Sequence, residues 1–167
     1  DLSTNATVGL EALARFSTPP PRPPNEWFAE AVSLALGLQL ELTTLTQALR
    51  AVSKMDRGVY LAVNCSHRAA VSAELASLIE PLADRLVLEI TEHEAVEDYD
   101  DLVDGLAPLR ARGARVAIDD AGAGFASLRH TVRIAPDIVK LDMSLTRAID
   151  TDRAKRALAP ALVSFAV

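Results

Sequence analysis

Residues 116–128 read VAIDDAGAGFASL, and the rest of the chain makes most sense as a support for them. Val116, Ala117 and Ile118 are a short apolar run with β-branched residues, the composition of a buried parallel strand. Asp119 and Asp120 follow at once. Gly122 and Gly124 then permit a tight loop, and Phe125 to Leu128 have the character of a helix start. Two readings fit this stretch taken alone: a strand-to-helix turn with an Asp cap, or a strand end of the kind that carries ligands in α/β folds. The other strand ends decide between them.

Upstream, Thr7 to Ala14 reads as a strand with Glu11 near its far end. Residues 17–25 hold five of the nine prolines and form an extended surface loop. Asn25 is a candidate cap for a helix in which Trp27, Phe28, Ala31 and Ala35 recur at helical spacing, with core packing expected of the two aromatic rings. Leu40 to Val52 continues as a second helix. Val59 to Val63 is a strand ending in Asn64, Ala69 to Ile79 a helix, and Arg85 to Ile90 a strand with Glu89 inside it. Glu97 to Asp101 is an acidic run placed to complement the dipole of an amphipathic helix. That helix, Tyr99 to Arg112, sets Leu102, Leu106 and Leu109 on one face and ends at Gly113. Downstream, Asp137 to Leu141 is a fifth strand, with Lys140 and Asp142 at its end. Helical tracts begin at Leu145 and after Asp152. Strand and helix alternating in this way imply parallel strands with right-handed crossovers, hence a (β/α) barrel or an open doubly wound sheet.

Composition narrows the class. The chain has 167 residues and 50% hydrophobic content, enough for one domain with a sizeable core. Its net charge of −6 and the lack of a basic run argue against binding a nucleic-acid polymer. The single cysteine, Cys65, excludes an internal disulfide framework, suits a cytoplasmic location, and reads as a small buried residue rather than a nucleophile. His67, His93 and His130 share no ligand spacing; His67 and His130 read as solvated or capping. No apolar run is long enough to cross a membrane, no membrane contact is expected of this segment, and no signal peptide is visible. The ends read as cut: an opening without Met, and a close within an apolar helical pattern.

Every strand delivers a polar residue near its C-terminal end: Glu11, Asn64, Glu89, Asp119 with Asp120, and Lys140 with Asp142. The later intervals of 25, 30 and 21 residues each suit one βα unit. In a parallel barrel these ends converge on one face, where the carboxylates would repel one another without a cation. Oxygen donors without a His or Cys cluster favour Mg²⁺, Mn²⁺ or Ca²⁺. Two successive carboxylates, Asp119 and Asp120, could bridge two metals and clamp a phosphodiester for in-line attack by water. Each residue alone has a plain structural explanation; their joint position at strand ends favours a site.

The same residues resemble the signature of the EAL domains, bacterial phosphodiesterases that hydrolyse cyclic di-GMP. Glu11-Ala12-Leu13 with Arg15 matches the motif that names the family. Val63-Asn64-Cys65-Ser66, Leu88-Glu89-Ile90-Thr91-Glu92, Asp119 to Phe125 and Lys140-Leu141-Asp142 follow in family order, so the resemblance covers essentially residues 1–167. It implies a TIM-type (β/α) barrel, incomplete here, with two Mg²⁺ or Mn²⁺ ions and linear pGpG as product. Glu11, Asn64, Glu89 and Asp119 would bind the first metal, and Asp119, Asp120 and Asp142 would serve the second. Lys140 would position or activate the attacking water, and Leu13 and Arg15 would contact the dinucleotide. Glu92 would hold the loop 121–128 that couples the site to a homodimer interface. Ala121 departs from the family's usual Phe, and His67-Arg68 from its usual Ser-Pro. A leading strand, the last barrel strands and a further Glu assigned in the family as catalytic base fall outside the chain. The resemblance therefore implies a longer parent, or a partner that completes the sheet. Alternatives are a silent cyclic di-GMP receptor and a protein-interaction module.

Overall fold

The computed structural model describes residues 1–91, 98–121 and 132–165. Its elements are β1 (Gly9–Ala12), α1 (Pro24–Ser33), α2 (Gly37–Val52), β2 (Tyr60–Cys65), α3 (His67–Ala70), α4 (Ala73–Ile79), a 3-10 helix (Glu80–Arg85), β3 (Leu86–Thr91), α5 (Tyr99–Ala111), β4 (Arg115–Ala121), β5 (Ile138–Leu141), α6 (Met143–Thr146) and α7 (Arg153–Phe165). The five strands form one sheet in the order β1-β2-β3-β4-β5, and every neighbouring pair is parallel. The sheet is a curled, incomplete barrel. Strand order equals chain order, so each crossover returns the chain to the adjacent position, as in a barrel rather than a doubly wound sheet.

The two faces of the sheet differ in content because side chains alternate along a strand. Leu61, Val63 and Cys65 of β2, Leu86, Leu88 and Ile90 of β3, and Val116 and Ile118 of β4 face the helices. There they join Leu45, Leu49, Leu75, Ile79 and the Leu102, Leu106, Leu109 stripe of α5 in the main core. Each leucine so buried contributes roughly 1.5–3 kcal/mol. The inner face carries a small second cluster of Ala62, Val87 and Ala117 with Tyr60 and Ile138. At its lower end the Arg115 guanidinium lies 4.5 Å from the centre of the Tyr60 ring. Gly9 pairs with Tyr60, and a Cβ at Gly9 would enter that ring.

Several boundaries differ from the sequence reading. Pro23, not Asn25, is the N-cap of α1, and it offers no side-chain bond; Pro24 opens the helix because its missing N–H costs nothing in the first turn. Trp27 and Phe28 pack on Phe16, with centroids 5.5 and 5.9 Å away, and Arg22 lies over Trp27. They form a satellite cluster on the proline loop, outside the main core. The single helix expected over 69–79 is two, because the Ser66 and Ser72 hydroxyls each accept a backbone N–H and start a new helix. α2 begins at Gly37, earlier than expected. β4 runs on through both aspartates to Ala121, where the sequence reading had ended the apolar strand at Ile118. Arg85 ties the α2–β2 connection to β3 by donating to the carbonyls of Val52, Met55, Asp56 and Val59 at 2.7–3.4 Å. Among the described residues no helix is long and apolar enough to cross a membrane.

Candidate metal centre

The site follows from strand parity. Gly9, Ala62, Val87, Ala117 and Ile138 lie on the inner face, so the residue two positions on along each strand also faces inward. Those residues are Glu11, Asn64, Glu89, Asp119 and Lys140. In register Glu11 stands beside Ala62, and Asn64 beside Glu89. Carboxylate oxygens of Glu11, Glu89 and Asp119, from three different strands, lie within 4.8 Å of one another. The Lys140 Nζ donates to Glu89 Oε2 at 2.9 Å, Asp119 Oδ2 at 3.1 Å and Glu11 Oε2 at 3.4 Å. Asn64 sits in the same layer and is exposed.

Electrostatics reflect this crowding. Glu89 is 2% exposed and is the only charged residue among the described ones that is fully buried. Burial raises its carboxyl above the ordinary value; Lys140 pulls the other way but does not cancel the effect. For Lys140, burial acts to lower the ammonium. The hydrogen bonds to Glu89 and Asp119, with their charges, outweigh it and hold the group above the ordinary lysine range. One ammonium thus neutralises part of a three-carboxylate cluster at the rim of an apolar barrel.

A β-bulge sets the paired aspartates. Ile118 pairs with Val139 and Ala121 with Leu141, so β4 holds one residue more than β5 over this interval. Ile118 and Ala121 both belong to the helix-side core, which leaves Asp119 and Asp120 together off that core. Asp120 has φ 55°, the left-handed region, and its N–H donates to Asp119 Oδ1 at 2.9 Å. A regular strand would have sent two consecutive side chains to opposite faces.

The other expected site residues lie outside this three-acid cluster or outside the described residues. Asp142 caps α6, accepting from the Ser144 N–H at 2.7 Å. Its bonds to Ser144 hold its carboxyl below the ordinary range, and it is not one of the three clustered acids. Leu13 and Arg15 lie just beyond β1; Leu13 is 56% exposed, and Arg15 donates to the Ala14 carbonyl at 2.7 Å. Glu92, His93, His130 and residues 122–128 lie outside the described residues. Cys65 is buried in the core. His67 is half-buried, its Nε2 3.3 Å from Asp101 Oδ2, and Ser66 rather than His67 caps α3. Sequence reasoning missed Glu41, whose carboxylate accepts from the Ser66 N–H at 2.7 Å and the Ser66 hydroxyl at 2.6 Å. This bond fixes the turn directly after Asn64, and a partner 25 residues upstream leaves no local signal.

The donor set fits a hard divalent cation. It is all oxygen, it is drawn from adjacent strands, and it already concentrates negative charge that one ammonium only partly offsets.

Known proteins are similar to this chain in sequence and fold. The chain is 31% identical to an uncharacterized signaling protein of Caulobacter vibrioides, over 84% of this chain and 18% of that protein. It is 28% identical to the cyclic di-GMP phosphodiesterase PdeR of Escherichia coli, over 94% of this chain and 26% of that protein. The chain therefore spans about a fifth to a quarter of the length of these two relatives. Among solved structures, Klebsiella pneumoniae BlrP1 in a calcium and cyclic di-GMP complex superposes with a TM-score of 0.81 at 27% identity, over 97% of this chain and 43% of that one. Its manganese and cyclic di-GMP complex gives 0.82 at 26% identity, again over 97% and 43%. The family model described as the EAL domain matches residues 1–167, and the chain therefore belongs to the EAL domain family.

Proposed function

We propose that this domain hydrolyses cyclic di-GMP to linear pGpG, in the cytoplasm, as part of a longer protein. The observation that carries the reading is the meeting of Glu11, Glu89 and Asp119 from three strands around Lys140. Glu11, Asn64, Glu89 and Asp119 would hold one Mg²⁺ or Mn²⁺, and Asp119, Asp120 and Asp142 would serve a second. When bound, the cations supply Lewis-acid charge to a phosphodiester and to water.

The chain's own residues do the rest. Glu89, anchored in the apolar wall, fixes the depth of the site and excludes bulk water beneath it. The bulge at Asp120 aims two carboxylates from one strand. Lys140 positions the attacking water or stabilises charge developing on the phosphoryl oxygens. Leu13 and Arg15, exposed beyond β1, contact the dinucleotide, with the guanidinium supplying planar donors to phosphate. Glu92 and the loop 121–128 couple the site to a homodimer.

The test is pGpG formation from cyclic di-GMP by the full-length parent with Mg²⁺ or Mn²⁺, followed chromatographically. Glu11→Ala lowers the rate by at least about 10²-fold, the scale of losing one electrostatic catalytic element. Unchanged hydrolysis in that variant removes Glu11 from the site. Binding without turnover in the unmutated protein marks it as a receptor.

A further inference from the structure

We propose that Lys140 is the built-in counter-cation of the metal centre, and that a divalent ion enters by displacing its ammonium group from the carboxylates. The inference rests on the cation site proposed above and extends it to the metal-free state. The ammonium contacts all three clustered acids, at 2.9, 3.1 and 3.4 Å. Those acids present oxygens within 4.8 Å of one another, the spacing of donors around a single ion. One central position therefore serves two cations, and like charges at that range exclude each other.

Lys140 is suited to both states. Its side chain is 32% exposed, so the ammonium has a path out of the cluster, whereas Glu89 at 3% has none. A lysine stem is flexible and its head is a point charge with three rotatable donors, so it can leave one carboxylate set without losing a fixed geometry. β5 holds its Cα beside the site throughout, because Val139 and Leu141 on either side are registered to Ile118 and Ala121. The displaced ammonium stays at the rim, where a phosphodiester and its water are handled. Lys140 thus prevents three acids from facing one another unpaired before metal arrives, and its displacement opposes metal binding.

Two measurements test this. In Mn²⁺ titration calorimetry, Lys140→Met binds on the order of tenfold more tightly than the unmutated chain, since the competing charge is gone. Equal or weaker affinity overturns the displacement while leaving the cation site intact. If neither protein binds Mn²⁺, the cation site fails and this inference fails with it. The second measurement needs no variant. The chain has three lysines, Lys54, Lys140 and Lys155, and Lys54→Arg and Lys155→Arg variants assign their ¹³Cε resonances. On titration with Mg²⁺ the Lys140 signal moves and saturates while those of Lys54 and Lys155 stay still. An unmoved Lys140 signal at saturating Mg²⁺ overturns the proposal.

Discussion

Lys140 sits in a network whose pH dependence has a definite sign. In the folded chain its ammonium is held above the ordinary value of 10.5 by the carboxylates around it. The stability it contributes is complete below that value and is lost as pH rises through the higher folded one. Glu89 works in the same sense at lower pH: its carboxyl is raised above 4.5, so its linked stability declines as pH rises through the raised value. Asp142 is opposite, since its cap on α6 holds above the ordinary carboxylate range and fails as acid protonates it. In chelator-treated protein, the excess stability of the unmutated chain over Lys140→Met therefore persists through neutral pH and shrinks above the lysine range. Urea midpoints between pH 8 and 12 measure it, and a difference that grows with alkalinity contradicts the ion cluster.

At the scale of elements, short polar bonds decide where helices begin and strands end. Asp98 accepts from the N–H groups of both Asp100 and Asp101 and so starts α5, whose leucines fill the centre of the core. Asp98→Ala should lower stability by about 1 kcal/mol, seen as a shift in denaturant midpoint at constant slope. At the other end of α5, Gly113 has φ 100° and lies against the Asp84 backbone, so any side chain there would be both strained and crowded. The acidic run was legible from its position before an amphipathic stripe, and the glycine stop from the end of that stripe. The split between α3 and α4 was not, because Ser72 does its capping inside what reads as one continuous apolar pattern. The bulge in β4 was also hidden: an extra residue becomes visible only against the register of its neighbour.

Over the whole molecule, five strands carry a complete helix-facing core but leave the outer edges of β1 and β5 without a strand partner among the described residues. Leu10, which faces outward from β1, is 49% exposed, and Met143 just past β5 is 68% exposed. Unpaired parallel edges flanked by apolar side chains promote association. The 167-residue chain produced alone should therefore self-associate with rising concentration in sedimentation velocity. A concentration-independent monomer up to high micromolar levels would show that these edges are adequately protected.

Local patterns in the sequence carry the fold class and name the candidate residues of the site. Apolar runs ending in Glu11, Asn64, Glu89, Asp119 and Lys140 recur between helical patterns, and that periodicity is local, so it survives in one dimension. It also shows the α5 stripe and the burial of Cys65. Tertiary structure alone decided which polar strand ends meet. It brought Glu11, Glu89 and Asp119 together and set Lys140 among them, while Asp142 caps α6 outside that cluster. The physical reason is that register and bulges are relations between neighbouring strands, and that the curl of the sheet brings together side chains as far apart in the chain as Glu11 and Lys140. The stretch VAIDDAGAGFASL carries its acids in the open, but only its neighbours' register places both of them off the core.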